Sequence, residues 1–195
     1  MKSSPKNIHK VGELTNNWYT RREVYAGKGY YSMEKQIIED PDCDMIIMAD
    51  VINNMTPRYS CLRPPGAAGA AIINKNHWIV YGDVRPADGS PTCKELGDCM
   101  IEDGHCVRTI HAEVRAIMNA AKYHIAVDGG TIYSILKPCF QCTKVIVAAG
   151  ITKIVYAGIA YDEERTRSLI EHAPQSIEVV HLYDMIPYAK QLQGE

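Results

Sequence analysis

The chain has 195 residues, 46% of them hydrophobic, and a formal net charge of -2. That is enough apolar chain to bury the core of one ordinary domain, and 21 basic against 23 acidic residues excludes a protein that coats nucleic acid through massed cations. A small phosphorylated ligand stays within reach, because it needs only about two or three local cations. No run approaches the ~20 apolar residues of a membrane helix, and the polar N-terminus has no hydrophobic signal core, so a cytoplasmic location is expected.

Residues 1–44 read as an N-terminal extension. Tyr19, Arg21, Arg22, Tyr25, Tyr30 and Tyr31 make it polar and aromatic, with weak periodicity, partly ordered by docking elsewhere. Residues 45–183 read as the main domain and 184–195 as a tail. Over 45–55 apolar residues recur at helical spacing and stop before Thr56-Pro57. Residues 67–73 and 77–81 are strands joined by the hairpin signal Asn74-Lys75-Asn76. A loop rich in Gly, Pro, Asp and Cys runs over 82–109, too long to be idle in one compact domain. A helix is expected at 110–123, a strand at 131–136, and a helix at 139–149 closed by Gly150. A strand at 151–157, a helix at 162–172 and a strand at 177–182 complete the order. Strands alternating with helices in the second half imply parallel pairing there.

Two segments carry chemistry: His111-Ala112-Glu113 and Pro138-Cys139-Phe140-Gln141-Cys142. Each opens an expected helix, whose unpaired N–H groups favour a thiolate. The spacing of Cys139 and Cys142 puts both sulfurs on one helix face. One imidazole and two thiolates leave zinc an open fourth position for water, which the metal activates near neutral pH. Glu113, two residues after His111, is placed to carry protons as the catalytic carboxylate. Core packing is the alternative for a lone His or Cys, but the pair of motifs together is the signature of zinc deaminases.

Taken with Ser60-Cys61-Leu62-Arg63, Gly69 to Ile73 and the run from Glu102 to Glu113, these motifs make the chain resemble deoxycytidylate deaminases of the bacterial and phage type, within the zinc-dependent cytidine deaminase superfamily. The resemblance covers residues 45–183. It implies an α/β fold, three-layer α/β/α with a five-stranded mixed sheet, and zinc at two helix N-termini. It implies that a water activated by zinc attacks C4 of cytosine, while Glu113 moves protons to N3 and to the leaving amine. The expected reaction is dCMP to dUMP plus ammonia, supplying dUMP for dTTP synthesis. Alternatives are deamination of dCTP or another cytosine nucleotide, or of a base in tRNA. A nucleotide-binding regulator without turnover would not need Glu113.

Cys61, Cys93, Cys99 and Cys106 remain, three of them in the long loop. Four thiols can form a closed zinc site that clips such a loop; ordinary reduced cysteines packed beneath it are the other reading. The resemblance implies a second, structural zinc, with His105 as a reserve ligand; Cys43 has no partner in the sequence. It also implies substrate contacts from Arg63 and Tyr161. The family's asparagine two positions after His-Ala-Glu is Arg115 here, taken as a further substrate contact. The family's Gly-Tyr-Asn-Gly stretch reads Gly82-Asp83-Val84-Arg85, and a threonine of the strand before Pro138 reads as Ile135. That glycine-rich stretch also helps form the family's regulatory site, so dCTP and dTTP are the implied regulators. A homo-oligomer, hexameric by analogy, is the implied assembly, with no membrane and no stable nucleic-acid complex.

Overall fold

Period-two alternation sorts the central strands into two faces and so builds the layers. In β2 (Gly69–Ile73), Ala71 and Ile73 join one apolar cluster while Ala70 and Ile72 join another. In β6 (Thr131–Leu136), Tyr133 and Ile135 face the first cluster and Ile132 the second. This computed structural model describes residues 30–33, 35–63, 68–102, 104–158 and 164–183.

In chain order the elements begin with β1 (Tyr30–Ser32), α1 (Lys35–Ile38) and α2 (Cys43–Met55). After β2 come β3 (Trp78–Asp83), α3 (Cys93–Leu96), β4 (Ile101–Glu102) and β5 (His105–Cys106). Then follow α4 (Ala112–Lys122), β6, α5 (Phe140–Ala148), β7 (Lys153–Gly158), α6 (Glu164–Glu171) and β8 (Glu178–His181). The main sheet has the order β1-β3-β2-β6-β7-β8. β2 is antiparallel to β3 and β6, and β6, β7 and β8 are parallel, which is the mixed character expected. The five expected strands are all present. β1, from the N-terminal segment, adds a sixth at the edge by pairing antiparallel with β3.

Helix α2 covers one face of the sheet with Ile46, Ile47, Met48, Val51 and Ile52. Helices α4 and α5 cover the other, which makes three layers. A polar clasp fixes α2: Asp44 accepts from Tyr133 Oη at 2.8 Å and from Lys153 Nζ at 2.7 Å, tying the helix to β6 and β7. The β2–β3 hairpin turns on Asn74, whose Oδ1 accepts from the N–H groups of Asn76 and Trp78 at 2.9 and 3.0 Å. Gly150 sits just past α5 with φ of 76°, the left-handed stop its sequence position suggested. Among the described residues no helix is long and apolar enough to cross a membrane.

The 82–109 loop is not featureless. Thr92 and Glu95 form a reciprocal cap that starts α3, and β4 and β5 pair as a small ribbon turning at Gly104. Arg85 then bridges Ile110, so the loop returns to the sheet at the foot of α4.

Where α4 crosses β3, Gly82 lies directly under the helix, and a Cβ there would run into the Ala112 carbonyl and the Ala116 backbone. Gly82→Ala should therefore force α4 off the sheet. Overpacking of this kind costs about 1–3 kcal/mol, which thermal unfolding should register as a Tm lower by several degrees, with turnover reduced because α4 carries Glu113.

Candidate active site and metal centres

His111 is the N-cap of α4 and Glu113 lies in its first turn; Cys139 is the N-cap of α5 and Cys142 lies in its first turn. Both caps have extended backbone, with ψ of 148° and 169°, so each side chain leaves the chain just before the helix begins. Packing of α4 and α5 side by side on one sheet face brings the two helix starts together. His111 Nδ1 lies 3.3 Å from Cys142 Sγ and 3.6 Å from Cys139 Sγ.

Those separations suit a metal. Zn–N and Zn–S bonds of about 2.0–2.3 Å at tetrahedral angles put ligand atoms roughly 3.5–3.8 Å apart. The protons are arranged for the same purpose. Hydrogen bonds from Cys142 and then from His111 pull the Cys139 thiol down to about 4, despite its burial. Cys142 is pushed up, because it donates to Cys139, is buried and faces Glu113. His111 is raised chiefly by its hydrogen bond to Cys139. Without a metal, one thiolate is held by two proton donors. A zinc ion bound by these three groups would take the place of those protons.

Glu113 is buried beside this trio. Its Oε1 accepts from Ser134 Oγ at 3.1 Å, and its Oε2 accepts from Cys142 Sγ at 3.5 Å. Burial raises its carboxyl above the ordinary range, against the pull of His111 and Ser134. A carboxyl so raised is a better proton acceptor and donor near neutrality.

A cavity of about 100 Å³ opens onto His111, Glu113 and Cys139. Ser134, Leu136 and Lys137 extend that wall. Tyr59, Cys61, Arg63, Val84, His105 and Cys106 also line the cavity. The site lies at the C-terminal end of β6, where parallel strands feed helices and ligands ordinarily bind.

The second thiol set also assembles. The sulfurs of Cys61, Cys93, Cys99 and Cys106 all lie within 4.8 Å of one another, with Cys61 to Cys99 at 3.5 Å and Cys93 to Cys106 at 3.6 Å. A zinc–tetrathiolate has sulfurs about 3.8 Å apart, so the set fits a closed site. Burial drives Cys93 up to about 12. Burial opposes ionisation of Cys106 too, but the Arg108 N–H, the Cys93 thiol and Thr109 outweigh it and bring Cys106 down to about 7. His105, the reserve ligand, lines the cavity and is not among the clustered thiols.

The residues expected to touch substrate divide. Arg63 lines the cavity, and its guanidinium donates to the Gly104 carbonyl. Tyr161 lies outside the described residues. Arg115 does not reach the cavity, and its expected substrate role is corrected here. It points from α4 toward the loop, is 5% exposed, and donates to the Arg85 and Pro86 carbonyls at 2.9 and 2.5 Å. It also pairs with Asp83 and Asp88 at 3.6 and 3.4 Å. The reason is helical geometry: Glu113 and Arg115 are two positions apart, so they project to different sides.

Ile135, which stands where the family has a threonine, lies away from the cavity. It packs under α2 on the opposite face, and the small hydroxyl on the site face of β6 is Ser134. Ser134 and Lys137 were missed by sequence reasoning. The signal for Ser134 was present, as a polar residue in register with Ile132 on the face that carries the site. For Lys137 the only signal was its place directly before Pro138.

A family model described as the cytidine and deoxycytidylate deaminase zinc-binding region matches residues 43–158. The chain belongs to that family. ComE operon protein 2 of Bacillus subtilis (strain 168) is 37% identical over 129 residues, which cover 66% of this chain and 67% of that protein. The deoxycytidylate deaminase of enterobacteria phage T4 is 43% identical over 56 residues, which cover 29% of this chain and 28% of that enzyme. Among solved structures, the dCMP deaminase of cyanophage S-TIM5 in complex with dCMP and dUMP has a TM-score of 0.60 at 22% identity, covering 73% of this chain and 98% of that one. That likeness establishes the cytidine-deaminase-like fold. Membership makes the protein a hydrolytic deaminase with nucleotide deamination as its chemistry.

Replacing Arg115 tests the reassignment. Arg115→Met removes one of the two cations paired with the buried Asp83 carboxylate, leaving Arg85 Nε at 3.3 Å, and takes a donor from the Arg85 and Pro86 carbonyls, a loss of about 1–3 kcal/mol. Chemical denaturation should show that loss of stability, while the KM for substrate stays within a small factor of wild type. A large rise in KM with unchanged stability would return Arg115 to the substrate.

Proposed function

We propose that the protein hydrolyses the exocyclic amine of a cytosine deoxynucleotide, with dCMP going to dUMP and ammonia. The observation that carries the reading is Glu113: a buried carboxyl, held by Ser134 and in contact with Cys142, in the wall of a cavity large enough for a base. A metal site serving structure alone has no use for such a group.

In this reading His111, Cys139 and Cys142 hold a catalytic zinc, and Cys61, Cys93, Cys99 and Cys106 a structural one. Zinc, when bound at the first site, supplies a water acidified toward neutral pH and leaves one coordination position for it. Glu113 accepts a proton from the attacking water and returns it at N3 of the ring; it then takes the proton of the new C4 hydroxyl and delivers it to the amine, which leaves as ammonia while the C4–O bond becomes a carbonyl. Ser134 holds Glu113 in one orientation through both transfers. Val84 and Leu136 give the base an apolar slot that excludes bulk water.

For the phosphate, Arg63 and Lys137 both line the cavity. Two such cations favour an anionic substrate over a neutral nucleoside. The phage relatives bear the name deoxycytidylate deaminase, which supports dCMP over dCTP. The place of the reaction in dUMP supply, regulation by dCTP and dTTP, and a homo-oligomeric assembly rest on the family resemblance, as does the assignment of residues 45–183 to the catalytic domain.

Two measurements test this. Glu113→Gln should keep its zinc and lose turnover by about 10²–10⁴, since one positioned carboxylate contributes that much; ammonia release at near-normal rate by the metal-replete variant would remove Glu113 from the mechanism. In a panel of deoxycytidine, dCMP, CMP, dCTP and a tRNA transcript, dCMP should have the highest kcat/KM. Deoxycytidine should trail it by about tenfold or more per lost charge-assisted contact. Equal turnover of the nucleoside would refute the phosphate assignment.

A further inference from the structure

We infer that the four-cysteine centre positions the substrate phosphate: by clamping the chain on both sides of Arg63's contacts, it sets nucleotide affinity and leaves the chemistry at the base alone. The inference rests on the reading of the cavity as a cytosine nucleotide site and of the four thiols as a zinc centre.

Two of the four cysteines do double duty. Cys61 and Cys106 belong to the thiol cluster and also line the cavity, whereas Cys93 and Cys99 do not line it. Arg63 follows Cys61 by two residues, and the carbonyl its guanidinium binds, that of Gly104, precedes Cys106 by two. At its other end Arg63 is held through its own carbonyl, which accepts from Tyr59 Oη at 2.8 Å. Tyr59 precedes Cys61 by two residues, and Ser60 between them binds the Val84 carbonyl through both its N–H, at 3.1 Å, and its hydroxyl, at 2.8 Å. The arginine is thus fixed at backbone and at guanidinium by two segments more than forty positions apart, since its contact with Gly104 spans 41 residues.

What keeps those segments in register is the sulfur cluster, because the β4–β5 ribbon has almost no apolar core of its own. Met100, Ile101 and Val107 are 49%, 48% and 45% exposed, and the ribbon is two residues long on each strand. A ribbon of that size is not stable by itself in water. Among its described residues the buried one is Cys106, packed in the cluster with Cys61 and Cys93. Loss of the metal frees the ribbon, and with it the Gly104 carbonyl that aims Arg63. A guanidinium presents several donors in a rigid fork, so one donor on Gly104 leaves the others for a phosphate, but only while the fork is aimed. His111, Glu113 and Ser134 stand on α4 and β6, which the sheet holds independently of the ribbon. Damage to the thiol centre should therefore discriminate between a nucleotide and a nucleoside.

The test uses the full-length zinc-loaded protein and Cys99→Ser, chosen because Cys99 does not line the cavity. Zinc content should fall by one equivalent. The KM for dCMP should rise on the order of ten- to a hundredfold, the loss expected of a misaimed charge-assisted contact. kcat for dCMP, and kcat/KM for deoxycytidine, should stay close to wild type. Calorimetric dCMP affinity in a Glu113→Gln background should fall in step, independently of turnover. A second variant, Gly104→Ala, keeps every thiol. Gly104 has φ of 76°, so alanine strains the ribbon turn and moves the carbonyl. The same selective loss of dCMP affinity, with zinc content intact, is expected. Equal losses for dCMP and deoxycytidine in both variants, or unchanged dCMP affinity in both, would overturn the inference. Wild-type protein that releases ammonia from no cytosine substrate would instead overturn the functional reading beneath it.

Discussion

The convergence of two helix N-termini is the constraint on which the rest of this molecule depends. His111 caps α4 and Cys139 caps α5, and their metal-binding atoms must stand within 4 Å of each other although 28 residues separate them. Helix α4 carries the chain away from His111 and β6 runs it back, so that Cys139, just after β6, arrives beside the start of α4. Both helix ends contribute unpaired N–H groups and a positive dipole end, so thiolate is favoured there before any metal arrives. The close crossing of α4 over Gly82 fixes the depth of Glu113, and the Asp44 clasp holds the opposite layer against β6 and β7.

Around that point the chain uses charge in two different ways. At the metal trio and Glu113, protons are shared among few groups in a dry setting, and each ionisation depends on its neighbour: Cys139 is held low because Cys142 is held high. On the other side of α4, Arg115, Asp83 and Asp88 consume one another's charge, with Arg85 and Lys122 at the margin. That network anchors the start of the long loop to α4. An arginine spent in this way is unavailable to a ligand; among the described residues, Arg63 and Lys137 are the lysine and arginine side chains that line the cavity.

The long loop is best understood as part of the active site. It is stapled at its middle by the thiol cluster and at its end by the Arg85–Ile110 bridge, and between these staples it supplies a wall of the cavity. The thiol cluster stands where a hydrophobic core stands elsewhere, since the ribbon leaves its large apolar side chains in solvent. Stability of the loop and affinity of the cavity are thus two aspects of one structure.

Much of this was legible in the residues. Apolar periodicity located α2, β6 and α5 to within a residue or two, because each has a clear repeat and a clear stop. The paired motifs at His111 and Cys139 picked out three donor groups and a carboxylate that the fold brings together. Spacing also nominated Cys61, Cys93, Cys99 and Cys106, though only the fold could bring the first of them 38 residues to the third. What sequence could not decide was direction. Arg115 was expected at the substrate from its place after the His-Ala-Glu motif, yet the helix turns it into the loop, and the pleat turns Ile135 under α2. Ser134 and Lys137 reach the cavity for the same reason in reverse. The sequence determined the inventory of chemical groups and the local elements that carry them, because composition and short-range periodicity suffice for both. The tertiary structure alone decided which groups share one cavity, because that depends on which face of each strand and helix the packed layers leave open.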